Sequence, residues 1–83
     1  MSNVATFALM IQHRNYVNEL TVHTNNDIVR ISKVKSLSPI AKELVINLIK
    51  KYFYEILASL EEKLIKDIAD LKKMHDGSNI SYV

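Results

Sequence analysis

The chain contains a single proline, Pro39, and a single glycine, Gly77, and both occupy positions that suit the ends of a helix. Ser38 precedes the proline as an N-cap residue, and proline is favoured at the first helical position because its missing N–H would have no partner there. Gly77 suits the left-handed conformation that commonly follows a helix. No helix breaker lies between these residues, so the sequence predicts one long amphipathic helix over residues 38–77.

The apolar pattern of this helix changes near its middle. Residues 40–57 are apolar over a broad surface, which indicates burial on more than one side. Beyond them a narrower stripe remains, spaced closer to 3.6 residues than to a strict heptad. A narrow stripe commonly meets one partner helix, so we predict that it mediates self-association. The predicted contact residues are Leu60, Leu64, Ile68 and Leu71.

The first 37 residues give no single stripe when they are drawn as a helix, because their apolar side chains occupy two nearly opposite sides. One side holds Val4, Phe7 and Ile11, and the other holds Leu9, Tyr16 and Leu20.

Drawn as strands, the same segment gives a cleaner pattern. Residues 4–11 are a continuous apolar run, residues 16–24 alternate, and residues 28–34 are rich in β-branched side chains. The separators, 12–15 and 25–27, have turn-type composition.

The sequence therefore favours an α+β fold, in which a three-stranded antiparallel meander over residues 1–37 precedes the long helix and a tail over residues 78–83 follows it. The alternative is an all-α fold, in which short N-terminal helices precede the long helix. Either fold makes residues 1–83 a single small domain. A domain of this size is marginally stable as a monomer, so we expect a homodimer or higher oligomer.

No residue pattern typical of an enzyme is found in the sequence. There is no glycine-rich loop to cradle a phosphate and no cysteine, and the histidines lack the spacing of metal ligands. The carboxylates of the long helix alternate with lysines, as on a solvated helix surface. We therefore expect no catalytic residues, no cofactor and no metal.

Two further groups of residues are candidates for binding. Tyr54 is the aromatic side chain of the long helix that is best placed for contact with a partner, because tyrosine is enriched at binding hot spots. Arg30, Lys33 and Lys35 form the only basic concentration, and they give an alternative function, a small nucleic-acid-binding regulator.

The apolar run at residues 4–11 is too short to span a bilayer and has no basic residue before it, so we expect a cytoplasmic protein without a membrane span.

Nine lysines against two arginines, with ten isoleucines and seven asparagines, suggest an AT-rich coding genome. In this general character the chain resembles the small accessory proteins of large tailed phages, which often bind host machinery and inhibit or redirect it. The resemblance is one of composition and implies no residue roles. The function predicted from the sequence is non-enzymatic, namely regulation by binding to an unidentified protein.

Overall fold

The computed structural model describes residues 2–81, and it describes side-chain exposure for residues 4–74. Two α-helices make up the fold: α1 (Ser2–Ser32) and α2 (Pro39–Ser81). The short turn between them, residues 33–38, folds α2 back along α1, so that Ala5 near the start of α1 lies beside Met74 near the end of α2. The described chain is an antiparallel helical hairpin.

The predicted three-stranded meander is wrong, because residues 2–32 form one helix and residues 2–81 include no strand. The all-α alternative gives the right class, although α1 is one continuous helix and not several short ones. The segments interpreted as turns, 12–15 and 25–27, lie within α1. They contain neither glycine nor proline, so nothing in them obliges the helix to stop. Strand propensity is a weak preference that packing overrides, and here the packing is against α2.

The inner seam, where the two helices meet, follows a spacing of three, four and four residues. Its half-buried residues in α1 are Thr6, Leu9, His13, Val17, Leu20, Thr24, Ile28 and Ile31. The corresponding residues of α2 are Ile46, Ile49, Phe53, Leu57, Leu60, Leu64, Ile68 and Leu71. Such spacing repeats every eleven residues, or about 3.67 residues per turn, so neither helix has to supercoil in the left-handed sense of a heptad.

Hydrogen bonds stabilise the turn at both of its ends. The Ala41 backbone N–H donates to Ser38 Oγ at 3.1 Å, so Ser38 caps α2 as the sequence predicts. Lys42 donates from Nζ to the carbonyl oxygen of Ser32 at 3.1 Å, which places a cation at the carboxyl end of α1. The last turn of α1 is therefore tied to the first turns of α2.

The predicted end of the long helix at Gly77 is wrong, because α2 continues to Ser81. No residue of the described chain has the positive φ that a glycine stop would use. A glycine inside a helix costs about 1 kcal/mol relative to alanine, which a helix of this length tolerates. Ser78 to Ser81 of the predicted tail therefore belong to α2, and residues 82–83 lie outside the described part.

The hairpin is long and thin, with principal extents of 69, 17 and 10 Å. Its radius of gyration is 19.5 Å, whereas a compact domain of this length has about 12 Å. Its accessible surface is 6889 Å², against about 5,000 Å² for a compact monomer of the same mass. Among residues 4–74, no side chain is fully buried. Two helices in a single layer therefore do not form the buried core that an ordinary domain has.

We expect the Ser38→Ala substitution to lower the free energy of unfolding by about 1 kcal/mol, because the first turn of α2 loses its side-chain cap. Denaturant unfolding followed by circular dichroism, at one fixed protein concentration, measures the change. Ser36→Ala is the matched control, since Ser36 is exposed in the same turn, and it should shift stability by less than about 0.5 kcal/mol. Equal effects of the two substitutions would contradict the capping role.

Candidate interaction surfaces

A second, interrupted row of apolar side chains, the outer stripe, lies along α1 on the side away from α2, with Asn18 and Asn25 between its apolar members. It consists of Val4, Phe7, Ile11, Val22 and Val29, whose side chains are between 44% and 72% exposed. Successive helical residues are about 100° apart, so Ile11 lies about 160° around the helix from Leu9 of the inner seam. Val22 stands in the same relation to Leu20. Apolar side chains therefore cover two nearly opposite sides of α1, and α2 covers one of them.

A further exposed row, the α2 ridge, occupies the first half of α2. Its members stand four residues apart and are between 46% and 72% exposed: Ile40, Leu44, Leu48, Tyr52 and Ile56. Rows with this spacing form the ridges that most often interdigitate when helices pack in globular proteins. The α2 ridge has the composition of a buried helix surface, and within the described chain it lies open.

An open groove of about 800 Å³ lies between the helices at the opposite end of the hairpin from the turn. On the side of α1 its lining includes the small side chains of Ala5 and Ala8. On the side of α2 it is lined by Asp67, Asp70, Leu71 and Met74.

The two carboxylates of the groove differ in their partners. Asp67 accepts a hydrogen bond from Lys63 Nζ at 2.7 Å, and this bond, together with the negative charge of Asp67, raises the pKa of Lys63 above its usual value. Asp70 is exposed. Residues 4–74 contain no group of three or more histidine, cysteine, aspartate and glutamate side chains that could hold a metal ion.

The residues predicted for self-association, Leu60, Leu64, Ile68 and Leu71, are half-buried and belong to the inner seam. Leu60 and Leu64 share a small cleft with Leu9 and Tyr16 of α1. In the predicted meander fold these four residues had no partner helix. In the structure α1 of the same chain is their partner. Self-association through these four residues stays a prediction.

Tyr54, the predicted partner-contact residue, is exposed on α2, and its ring stands edge-on to Phe53 with the centroids 5.3 Å apart. Phe53 belongs to the inner seam and is half-buried. The Tyr54 ring therefore lies on the surface of the hairpin against Phe53. A role in partner contact stays a prediction.

The basic residues Arg30, Lys33 and Lys35 lie together at the turn end of the hairpin. Arg30, whose side chain is 77% exposed, forms a long ion pair of 3.9 Å with Asp27 one turn earlier. Lys33 and Lys35 are exposed in the turn itself. The structure thus brings the three side chains to one end, and the predicted contact with nucleic acid remains untested.

Sequence reasoning missed the outer stripe as a surface, although its residues were visible. Val4, Phe7 and Ile11 fall on one side of a helix and Leu9 falls on the other, and this pattern argued against a helix because a single stripe was expected. A helix contacted on two sides has two stripes. The signal that could have found α1 is the absence of glycine and proline from its whole length.

Comparison with protein-family models, with curated proteins and with solved structures finds no match to this chain. Within residues 2–81, neither helix has a stretch that is long and apolar enough to cross a membrane.

We expect the Leu64→Ala substitution to lower the free energy of unfolding by about 1–3 kcal/mol, less than for a fully buried leucine, because the inner seam loses half-buried contact area. Ile65→Ala is the matched control, since Ile65 adjoins Leu64 but is 68% exposed. Chemical denaturation of both variants measures the difference. A loss at Ile65 as large as that at Leu64 would contradict the placement of the inner seam.

Proposed function

We propose that this chain is a non-enzymatic protein–protein interaction protein whose working form is a homo-oligomer. The observation that carries the proposal is that none of residues 4–74 is fully buried, although fifteen large apolar side chains among them are exposed. In a monomer with so little burial, the hydrophobic contribution to the free energy of folding is small. It offsets poorly the conformational entropy that is lost when two long helices become ordered. A second molecule supplies the missing layer.

Self-association is also supported by the size of the open surface. The broad face of the hairpin measures 69 by 17 Å, roughly 1,200 Å², whereas a stable interface buries about 800 Å² on each partner. Covering two thirds of one broad face would therefore be sufficient. Twofold dimers are the commonest assemblies, and two stacked hairpins make a four-helix bundle.

Regulation of another protein, by inhibiting or redirecting it, is the biological role we propose for the assembly. The support is the distribution of apolar surface, because the α2 ridge and the outer stripe of α1 lie on different sides of the hairpin and one contact with a second copy covers only one of them. The side that remains open is available to a protein of another kind. The compositional resemblance to phage accessory proteins agrees with this role.

The experiment that tests the proposal is thermal unfolding at several protein concentrations, followed by circular dichroism at 222 nm. When folding and association are coupled, the midpoint of unfolding rises with concentration by mass action. We expect such a rise over a hundredfold range of concentration. A midpoint that stays constant over that range, with full helicity, would show a self-sufficient monomer and contradict the proposal.

A further inference from the structure

We infer that two copies of this chain stack antiparallel through their broad faces, with the α2 ridge of each copy seated over the groove of the other. The inference rests on the proposed function, since it specifies how the homo-oligomer forms. The partner that covers the groove is a second copy of this chain. A single twofold axis, lying between the two copies near the middle of the hairpin, relates them.

The second half of the ridge, Leu48 to Ile56, lies on the same face of the hairpin as the groove, whereas Ile40 and Leu44 lie at its outer edge. Tyr52 and Asp70 are 18 residues apart, and so are Ile56 and Met74. Eighteen residues are five complete turns, so the members of each pair point in the same direction from α2. Asp70 and Met74 line the groove, and therefore Tyr52 and Ile56 of the ridge stand above the same face.

The two features are complementary in shape. The ridge offers large side chains, Leu48 and Tyr52 among them, which are more than half exposed. The groove is lined by the small residues Ala5 and Ala8 and by the apolar side chains of Leu71 and Met74. A large side chain entering a depression lined by small ones is the arrangement by which helix surfaces interlock.

The positions of the two features along α2 fix the orientation. The ridge is centred near residue 50 and the groove near residue 70, about 30 Å apart at 1.5 Å per residue. A twofold axis perpendicular to the helices near residue 60 exchanges the two positions. Each ridge then meets the groove of the other copy, and the contact is made twice.

Charge favours the same orientation. The turn end of the hairpin carries Arg30, Lys33 and Lys35, whereas the groove is lined by Asp67 and Asp70. Antiparallel stacking brings the basic turn end of each copy to the groove end of the other copy, where Asp70 is exposed and Asp67 is already paired with Lys63. Parallel stacking would place the two basic ends side by side, where like charges repel.

Cross-linking tests the inference directly, because the chain has no cysteine and introduced thiols are the only targets. We would prepare the double variant Leu48→Cys/Met74→Cys and treat it with a bis-maleimide of about 10 Å span. The two positions lie about 39 Å apart along one helix, so this reagent can join them only between copies. We expect a covalent dimer as the main product.

Two control variants define the results that would overturn the inference. Lys50 lies about 160° around α2 from Leu48, so Lys50→Cys/Met74→Cys should cross-link at least tenfold less. Equal yields from the two double variants would contradict the proposed face. Leu48→Cys alone should not cross-link to itself, because antiparallel stacking separates the two copies of residue 48 by about 36 Å. Efficient self-linking of that variant would show parallel stacking.

A charge scan separates failure of this inference from failure of the proposed function. We expect Leu48→Glu to weaken dimerisation at least tenfold in sedimentation equilibrium, while Asn47→Glu, which adds the same charge to the adjoining exposed position, leaves it within twofold. If Val22→Glu dissociates the dimer and Leu48→Glu does not, the copies pair through the outer stripe of α1. That result overturns the inference and leaves the proposed function standing. A monomeric wild-type protein at every concentration would overturn both.

Discussion

The contact between α1 and α2 along the inner seam is the interaction on which the whole structure depends. It is the only helix–helix packing in the described chain, because residues 2–81 form just two helices and a turn. The seam half-buries apolar side chains on both helices without fully burying any of them. Helices in proteins draw most of their stability from packing of this kind. Because the seam is open to solvent along both edges, further burial of its apolar side chains is favourable.

Two consequences follow from the way in which apolar residues are spread around each helix. On α1 they occupy nearly opposite sides, so α2 can cover only one stripe. On α2 the ridge from Ile40 to Ile56 advances around the helix, because four residues exceed one turn by about 40°. The ridge therefore moves from the outer side of the hairpin at Ile40 towards the inner seam at Leu60. Open apolar surface is thus continuous with the seam, and a second copy can extend the same packing.

Sequence reasoning predicted the start of α2 because Ser38 and Pro39 act locally, through one hydrogen bond and one fixed dihedral angle. It did not predict the end of α2, since a single glycine such as Gly77 permits a helix stop without requiring one. The fold of residues 2–32 was also missed, because a continuous apolar run such as residues 4–11 fits a buried strand as well as a helix with two apolar stripes. The position of Asp70 beside Ala8 was beyond prediction, since it depends on how two helices align. The exposure of Tyr54 could be predicted from the sequence, because Phe53 beside it continues the seam spacing.

Small-angle X-ray scattering over a concentration series distinguishes a homo-oligomer from a monomer, because it reports mass and shape together. The chain has a mass of 9.5 kDa, so we expect a scattering mass near twice that value at high concentration, with a cross-section wider than one hairpin. A scattering mass of 9.5 kDa at every concentration, with a radius of gyration near 19.5 Å and full helicity, would contradict it.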